Sequence, residues 1–112
     1  MFAIGYDVGS SSVKASIVQI DNGKIVAIGK YPESEMHMTA KHQGWAEQDP
    51  DMWWENICIL TKKLLFEHNI DPKQILSIGI GYQMHGLVLV DREFKAVRPS
   101  IIWCDKIGRA HV

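Results

Sequence analysis

The run Tyr6-Asp7-Val8-Gly9-Ser10-Ser11-Ser12-Val13-Lys14 gathers an acid, a glycine, three hydroxyls and a lysine between two apolar stretches. Those residue types suit a phosphate cradle. Gly9 admits backbone conformations closed to residues with a Cβ, and successive turn N–H groups can then converge on an anion. The hydroxyls of Ser10, Ser11 and Ser12 add donors, and Lys14 adds a positive charge if it faces the loop. Asp7, at a strand end, could hold a hydrated Mg²⁺ or orient water, because hard cations take carboxylate oxygen. The plain alternative is a β-hairpin turn that uses Gly and Ser for ordinary steric reasons. Gly-x4-Gly-Lys-Ser/Thr and Gly-x-Gly-x-x-Gly are both missing, and the turn leads into a strand-like run. The stretch is therefore neither a P-loop nor a dinucleotide fingerprint.

Two further stretches could carry chemistry. Gln83-Met84-His85-Gly86 interrupts an apolar region with side chains able to donate to and accept from a hydroxylated ligand. A connecting turn with a half-exposed His is the competing reading. Trp103 and Asp105 pair an aromatic face with a carboxylate, which suits a sugar: its C–H face packs on an indole while its hydroxyls bond to oxygen. Trp103 could equally fill the core. His37, His42 and His68 lack partners at metal-ligand spacing and receive no role.

The rest of the chain must position these groups. Its 112 residues suffice for one domain with its own core. A hydrophobic content of 46% against 22% charged residues reads as globular. A formal charge of −1 offers no general attraction to nucleic acid or to an anionic membrane, so phosphate binding must be local. Cys58 and Cys104 read as free, buried thiols of a reducing compartment. Asp7 breaks the apolar N-terminus too early for a signal peptide, and no stretch reaches transmembrane length. The expectation is a cytoplasmic protein.

Phe2–Asp7 reads as a central buried strand and Val13–Ile20 as a second, followed by Ile25–Tyr31 antiparallel to it across Asn22-Gly23. Residues 32–44 show no period and are expected to form a loop. A helix is predicted from Asp49-Pro50-Asp51, with Asp49 as N-cap and Pro50 at the first helical position. It should fade at Glu67–Asn69. Its stripe is Trp53, Ile57, Leu60 and Leu64, with Trp54 and Leu65 on the flank, and both tryptophans are assigned to the core. Ile75–Gly81 reads as another buried strand. Leu87–Val90 and Ile101–Cys104 read as two more, ending near Asp91 and Asp105.

Four blocks in order, YDVGSSSVK at 6–14, GWAEQDPDMWW at 44–54, GYQMHGLVLVD at 81–91 and RPSIIWCD at 98–105, resemble the FGGY carbohydrate kinases, most closely the xylulokinases. The resemblance covers residues 1–105. It implies an α/β fold of the ribonuclease H-like, actin-like ATPase type, with a mixed sheet and helices, of which this chain is an incomplete first lobe. It also implies ATP and Mg²⁺ as cofactors, a small-molecule sugar as partner, and transfer of the γ-phosphoryl group to a sugar hydroxyl. Under the same resemblance Asp7 sits by the metal and the transferred phosphate. Gly9, Ser10, Ser11, Ser12 and Lys14 approach the nucleotide phosphates. Gln83, Met84, His85, Trp103 and Asp105 belong to the sugar site. Glu47-Gln48-Asp49-Pro50 looks like a family signature and is explained by the start of the helix.

Two departures qualify what the resemblance implies. Family members are several times longer, and the carboxylate base and the adenine-binding lobe come later in them, so this chain alone is expected to be inactive. Residues 106–112 also depart from the family pattern after Asp105. Arg109 is either a displaced family arginine or part of a non-native tail, and the tail is the preferred reading. An incomplete lobe should expose apolar strand edges and self-associate, as a homodimer or otherwise. D-xylulose is the expected substrate. The alternatives are gluconate or another polyol, a non-catalytic sugar-binding module, and a structural actin-like protein.

Overall fold

The computed structural model describes residues 1–104. Three strands open the chain: β1 (Phe2–Val8), β2 (Val13–Gln19) and β3 (Ile25–Tyr31). They form an antiparallel meander, with Tyr6 opposite Ala15 and Ala15 opposite Gly29. The β2–β3 connection is looser than a two-residue turn. Gln19 N–H donates to Lys24 O at 2.8 Å, and of the Asn22-Gly23 pair only Gly23 has positive φ, at 70°. A later strand, β5 (Ile75–Tyr82), adds parallel to β1, giving the order β3-β2-β1-β5. The two-residue strands β4 (Glu47–Gln48) and β6 (Ser100–Ile101) pair in a separate antiparallel ribbon.

The helix α1 (Pro50–Glu67) begins where its sequence requires. The Asp49 carboxylate accepts from Asp51 N–H at 3.0 Å, satisfying one orphan donor of the first turn, and Pro50 supplies a preset φ. A 3₁₀ turn (Pro72–Gln74) follows, closed by an Asp71–Gln74 capping box. Helix α1 packs on β2 and β3 through Leu60 and Leu64, both fully buried. Burial of each of those side chains is worth roughly 2 kcal/mol of transfer free energy. They meet Ile4, Tyr6, Val8, Val13, Ala15, Ile17 and Ala27. Tyr6 Oη and Thr61 Oγ1 hydrogen-bond at 2.5 Å, and Thr61 donates to Ile57 O, which ties β1 to the helix.

Several expectations are corrected. Trp54 is exposed: it lies beside the buried stripe of α1, and only Trp53 turns partly inward. The buried-strand reading of Ile75–Gly81 also fails. The strand exists, but Leu76, Ile78 and Ile80 are about 60% exposed. The physical reason is position, since β5 has one neighbour, β1, and α1 covers β2 and β3 instead. Leu87–Val90 is not a regular strand. It makes isolated bridges, Leu87 to Ile101 and Val90 to Ala96. The Ile101–Cys104 strand shrinks to Ser100–Ile101. Cys58 and Cys104 are free but only half-buried. Residues 32–44 form the expected loop, pinned by Thr39 to Glu47 and by buried Met36 to the Ser11 carbonyl.

Candidate active site

The sheet order brings the separate sequence blocks to one end of the molecule. Asp7 is opposite Lys14 on β2 and Gly81 on β5. Residues paired across neighbouring strands point to the same face, so Asp7 and Lys14 share the face opposite Tyr6 and Val8. Both side chains are exposed, and Gly81 presents no side chain beside the carboxylate.

Beyond Val8 the chain turns through Gly9–Ser12. Gly9 is not in the left-handed region. A side chain there would be crowded instead, since a Cβ would stand 3.2 Å from Ser12 O and the turn would have to give by a few tenths of an ångström. Gly9 N–H is consumed within the turn by Ser12 O at 3.1 Å, so it is no anion donor. The other carbonyls are also engaged. Gln48 Nε2 donates to Ser10 O at 2.5 Å, and Met36 N–H donates to Ser11 O at 2.7 Å. Among the described residues no protein group accepts from the N–H of Ser10, Ser11 or Ser12.

At the ends of β1 and β5 lies a cavity of about 660 Å³ lined by Val8, Trp53, Tyr82, Gln83, Met84, His85, Gly86 and Val88. Gln83 N–H donates to Val8 O at 3.0 Å, which fixes the start of this segment to the end of β1. The Gln83 side-chain oxygen and nitrogen are both buried, and neither has a hydrogen-bond partner. Buried amides are ordinarily satisfied, so this one is set up to meet a polar group in the cavity. His85 holds φ = 63°, a left-handed conformation that costs an L-residue about 1–2 kcal/mol. Strain of that kind clusters at binding sites. Met84 is exposed at the rim.

Trp103 does not line the cavity. Its indole N–H donates to Ser10 Oγ at 3.2 Å, so it braces the turn from outside. Asp105 lies outside the described residues, as does the tail at 106–112. A metal fits the donor set in a limited way. Among the described residues no group of three or more His, Cys, Asp or Glu side chains converges. Mg²⁺ commonly keeps its waters and uses one or two carboxylates beside substrate phosphates, a role open to Asp7. Sequence reasoning missed Gln48, which it assigned to the start of the helix, and the place of Trp53 in the cavity wall. Gln48 does sit in a polar block before an N-cap, but no spacing rule names its partners.

The family model for the N-terminal domain of the FGGY carbohydrate kinases matches residues 2–111. The chain belongs to the FGGY family. That match runs across most of the tail as well as the four blocks. The xylulose kinase of Escherichia coli strain K12 is 33% identical over 102 residues, 91% of this chain and 20% of the relative. Among solved FGGY-type structures, the xyloylose kinase of Brucella ovis superposes with a TM-score of 0.86 at 31% identity, covering 96% of this chain and 22% of that one. The gluconate kinase of Lactobacillus acidophilus gives 0.79 at 27% identity, over 98% and 21%. The fold is thus the actin-like ATPase fold of these kinases, present as a partial first lobe. The chain spans about a fifth of the length of the curated FGGY relatives it matches. No helix among the described residues is long and apolar enough to cross a membrane.

Proposed function

We propose that residues 1–105 are the N-terminal part of the first, sugar-binding lobe of an ATP-dependent sugar kinase, followed by a tail at 106–112. The reaction is phosphorylation of a ketopentose, D-xylulose to D-xylulose 5-phosphate, in the cytoplasm. One observation carries this reading: the cavity with the unsatisfied Gln83 amide and the strained His85 is walled by Val8, the residue that follows Asp7 and leads directly into the Gly9–Ser12 turn. A phosphate-side turn and a hydroxyl-reading pocket therefore lie at the same ends of two paired strands, β1 and β5.

The roles follow from the groups. Mg·ATP, when bound, supplies the γ-phosphoryl group. The Asp7 carboxylate would hold the hydrated cation or orient water beside it. The Ser10, Ser11 and Ser12 N–H and hydroxyl groups would donate to phosphate oxygens, and Lys14, on the face of Asp7, would offset their charge. Gln83, Met84 and His85 would orient the sugar, and Trp103 and Asp105 would contribute to the sugar site. The base that takes the sugar proton is not in this chain, so the chain alone transfers no phosphate. The names of the similar kinases favour xylulose. The Lactobacillus gluconate kinase supports gluconate or another polyol as the second reading.

A chimera tests the reading. This chain replaces the matching 102 residues of the Escherichia coli xylulose kinase, and phosphorylation of D-xylulose, gluconate and glycerol by Mg·ATP is compared. Xylulose should be preferred, and Asp7→Ala should remove activity by about 10³-fold, as loss of a charge-stabilising group does. Preference for gluconate would move the assignment to the second reading. A folded chimera that binds sugar without phosphorylating it would point to a binding module.

A further inference from the structure

Gln48 is 2% exposed, and its side-chain amide is used at both ends. Nε2 donates to Ser10 O at 2.5 Å, and Oε1 accepts from Trp53 Nε1 at 3.0 Å. One partner is the turn beside Asp7. The other is the indole that walls the cavity. In a planar trans peptide the carbonyl of one residue and the N–H of the next point in opposite directions. The amide hydrogen that Gln48 gives to Ser10 O therefore holds the Ser11 N–H pointing away from Gln48. Met36, through Ser11 O, does the same for the Ser12 N–H. Neither N–H has a protein acceptor among the described residues.

Gln48 is itself held from behind. It belongs to the β4–β6 ribbon, opposite Ser100, whose hydroxyl donates to Leu87 O at 2.9 Å. Next to it the buried Glu47 carboxylate is paired with Arg98 at 2.6 Å. A residue needed only to start α1 would require none of this, because Asp49 and Pro50 already do so.

We propose that Gln48 is a positioning residue: its buried amide aims the Ser11 N–H outward as an anion donor and ties the turn to Trp53 in the cavity wall. This rests on the sugar-kinase reading of the same site. Only a side chain with a donor and an acceptor on one planar group can make both bonds. Glu retains an acceptor for Trp53 and loses the donor for Ser10. Leu loses both. Order in the turn and occupancy of the cavity are thereby coupled through one amide.

Amide and indole ¹H–¹⁵N spectra of the 112-residue chain test this, with the Trp53 indole signal assigned by Trp53→Phe. Gln48→Glu should keep the hydrogen-bonded position of the Trp53 indole signal. It should also speed hydrogen exchange at Met36, whose N–H reports turn order, by about fivefold to tenfold, the worth of one hydrogen bond. Gln48→Leu should move both signals. Pyrophosphate, the probe for the turn, should shift the Ser11 and Ser12 amides of the unaltered chain. It should bind about fivefold more weakly to either variant, while exchange in β1–β3 stays unchanged. Should Gln48→Leu not fold, Trp53→Phe decides, since it removes only the indole donor and should still speed exchange at Met36.

Unchanged Met36 exchange and pyrophosphate response in the Gln48 variants would overturn the proposal. So would the lack of any Ser11 response to pyrophosphate in the unaltered chain. The chimera separates this from the underlying reading. If the folded chimera phosphorylates no sugar, the sugar-kinase reading fails, while Gln48 is still judged by Met36 exchange and the Trp53 indole.

Discussion

Arg98→Met should destabilise the protein far more than Glu47→Gln, although both break the same ion pair. The Arg98 guanidinium lies 2.6 Å from Glu47, with the glutamate side chain 6% exposed and the arginine 42%. Removing one partner of a fully buried pair costs about 3–5 kcal/mol, because the other charge is left in a poor solvent. Here one side of the pair is open to water, which reduces the cost of Arg98→Met to roughly 2 kcal/mol. Met keeps much of the aliphatic stem, so the loss is electrostatic rather than a packing void.

Glu47→Gln leaves a guanidinium that water can reach and an amide oxygen that can still accept from it. Its cost should stay below about 1 kcal/mol. The double variant should recover part of the Arg98→Met loss, because it no longer strands a carboxylate. Urea unfolding followed by circular dichroism gives all three values, and a 2 kcal/mol loss corresponds to a fall in Tm of roughly 10 °C for a domain of this size. Equal costs for the two single variants would refute the asymmetry argument. An Arg98→Met loss within about 0.5 kcal/mol, the range of ordinary surface substitutions, would do the same.

Two further outcomes follow from the packing. A Cβ on Gly29 would stand 3.0 Å from Leu64 Cδ2 and 3.1 Å from Leu60 Cδ1, both in buried side chains. Gly29→Ala should therefore cost about 1 kcal/mol net, overpacking outweighing the gain from removing a strand glycine; a rise in Tm would show that α1 can shift to accept it. The outer edge of β5 exposes Leu76, Ile78, Ile80 and Tyr82 with no charged residue between Ile75 and Tyr82. Such an edge invites pairing with another copy. Sedimentation velocity should find concentration-dependent association that Ile78→Lys suppresses, and an unchanged distribution would place the contact elsewhere.

The local part of this fold is legible in the sequence because its causes are local. Asp49-Pro50 sets the start of α1 through a cap and a preset φ. Leu60 and Leu64 define the buried stripe by helical spacing. The strand–turn–strand around Gly9–Ser12 follows from apolar runs flanking small hydroxyl residues. The blocks around Asp7 and Gln83–His85 likewise mark the two halves of the site by residue type.

What the tertiary structure decided are relations between residues far apart in the chain. Gln48 reaches Ser10 across 38 positions, Arg98 reaches Glu47 across 51, and Trp103 reaches Ser10 across 93. No period or propensity encodes which distant carbonyl a buried amide will meet. The same holds for exposure. Ile75–Gly81 is apolar enough for a covered strand, yet its burial depends on what packs against it, and α1 lies over β2 and β3. Hydrophobic pattern states how a segment can be buried. Only packing states whether it is, and which side chains then have to satisfy one another.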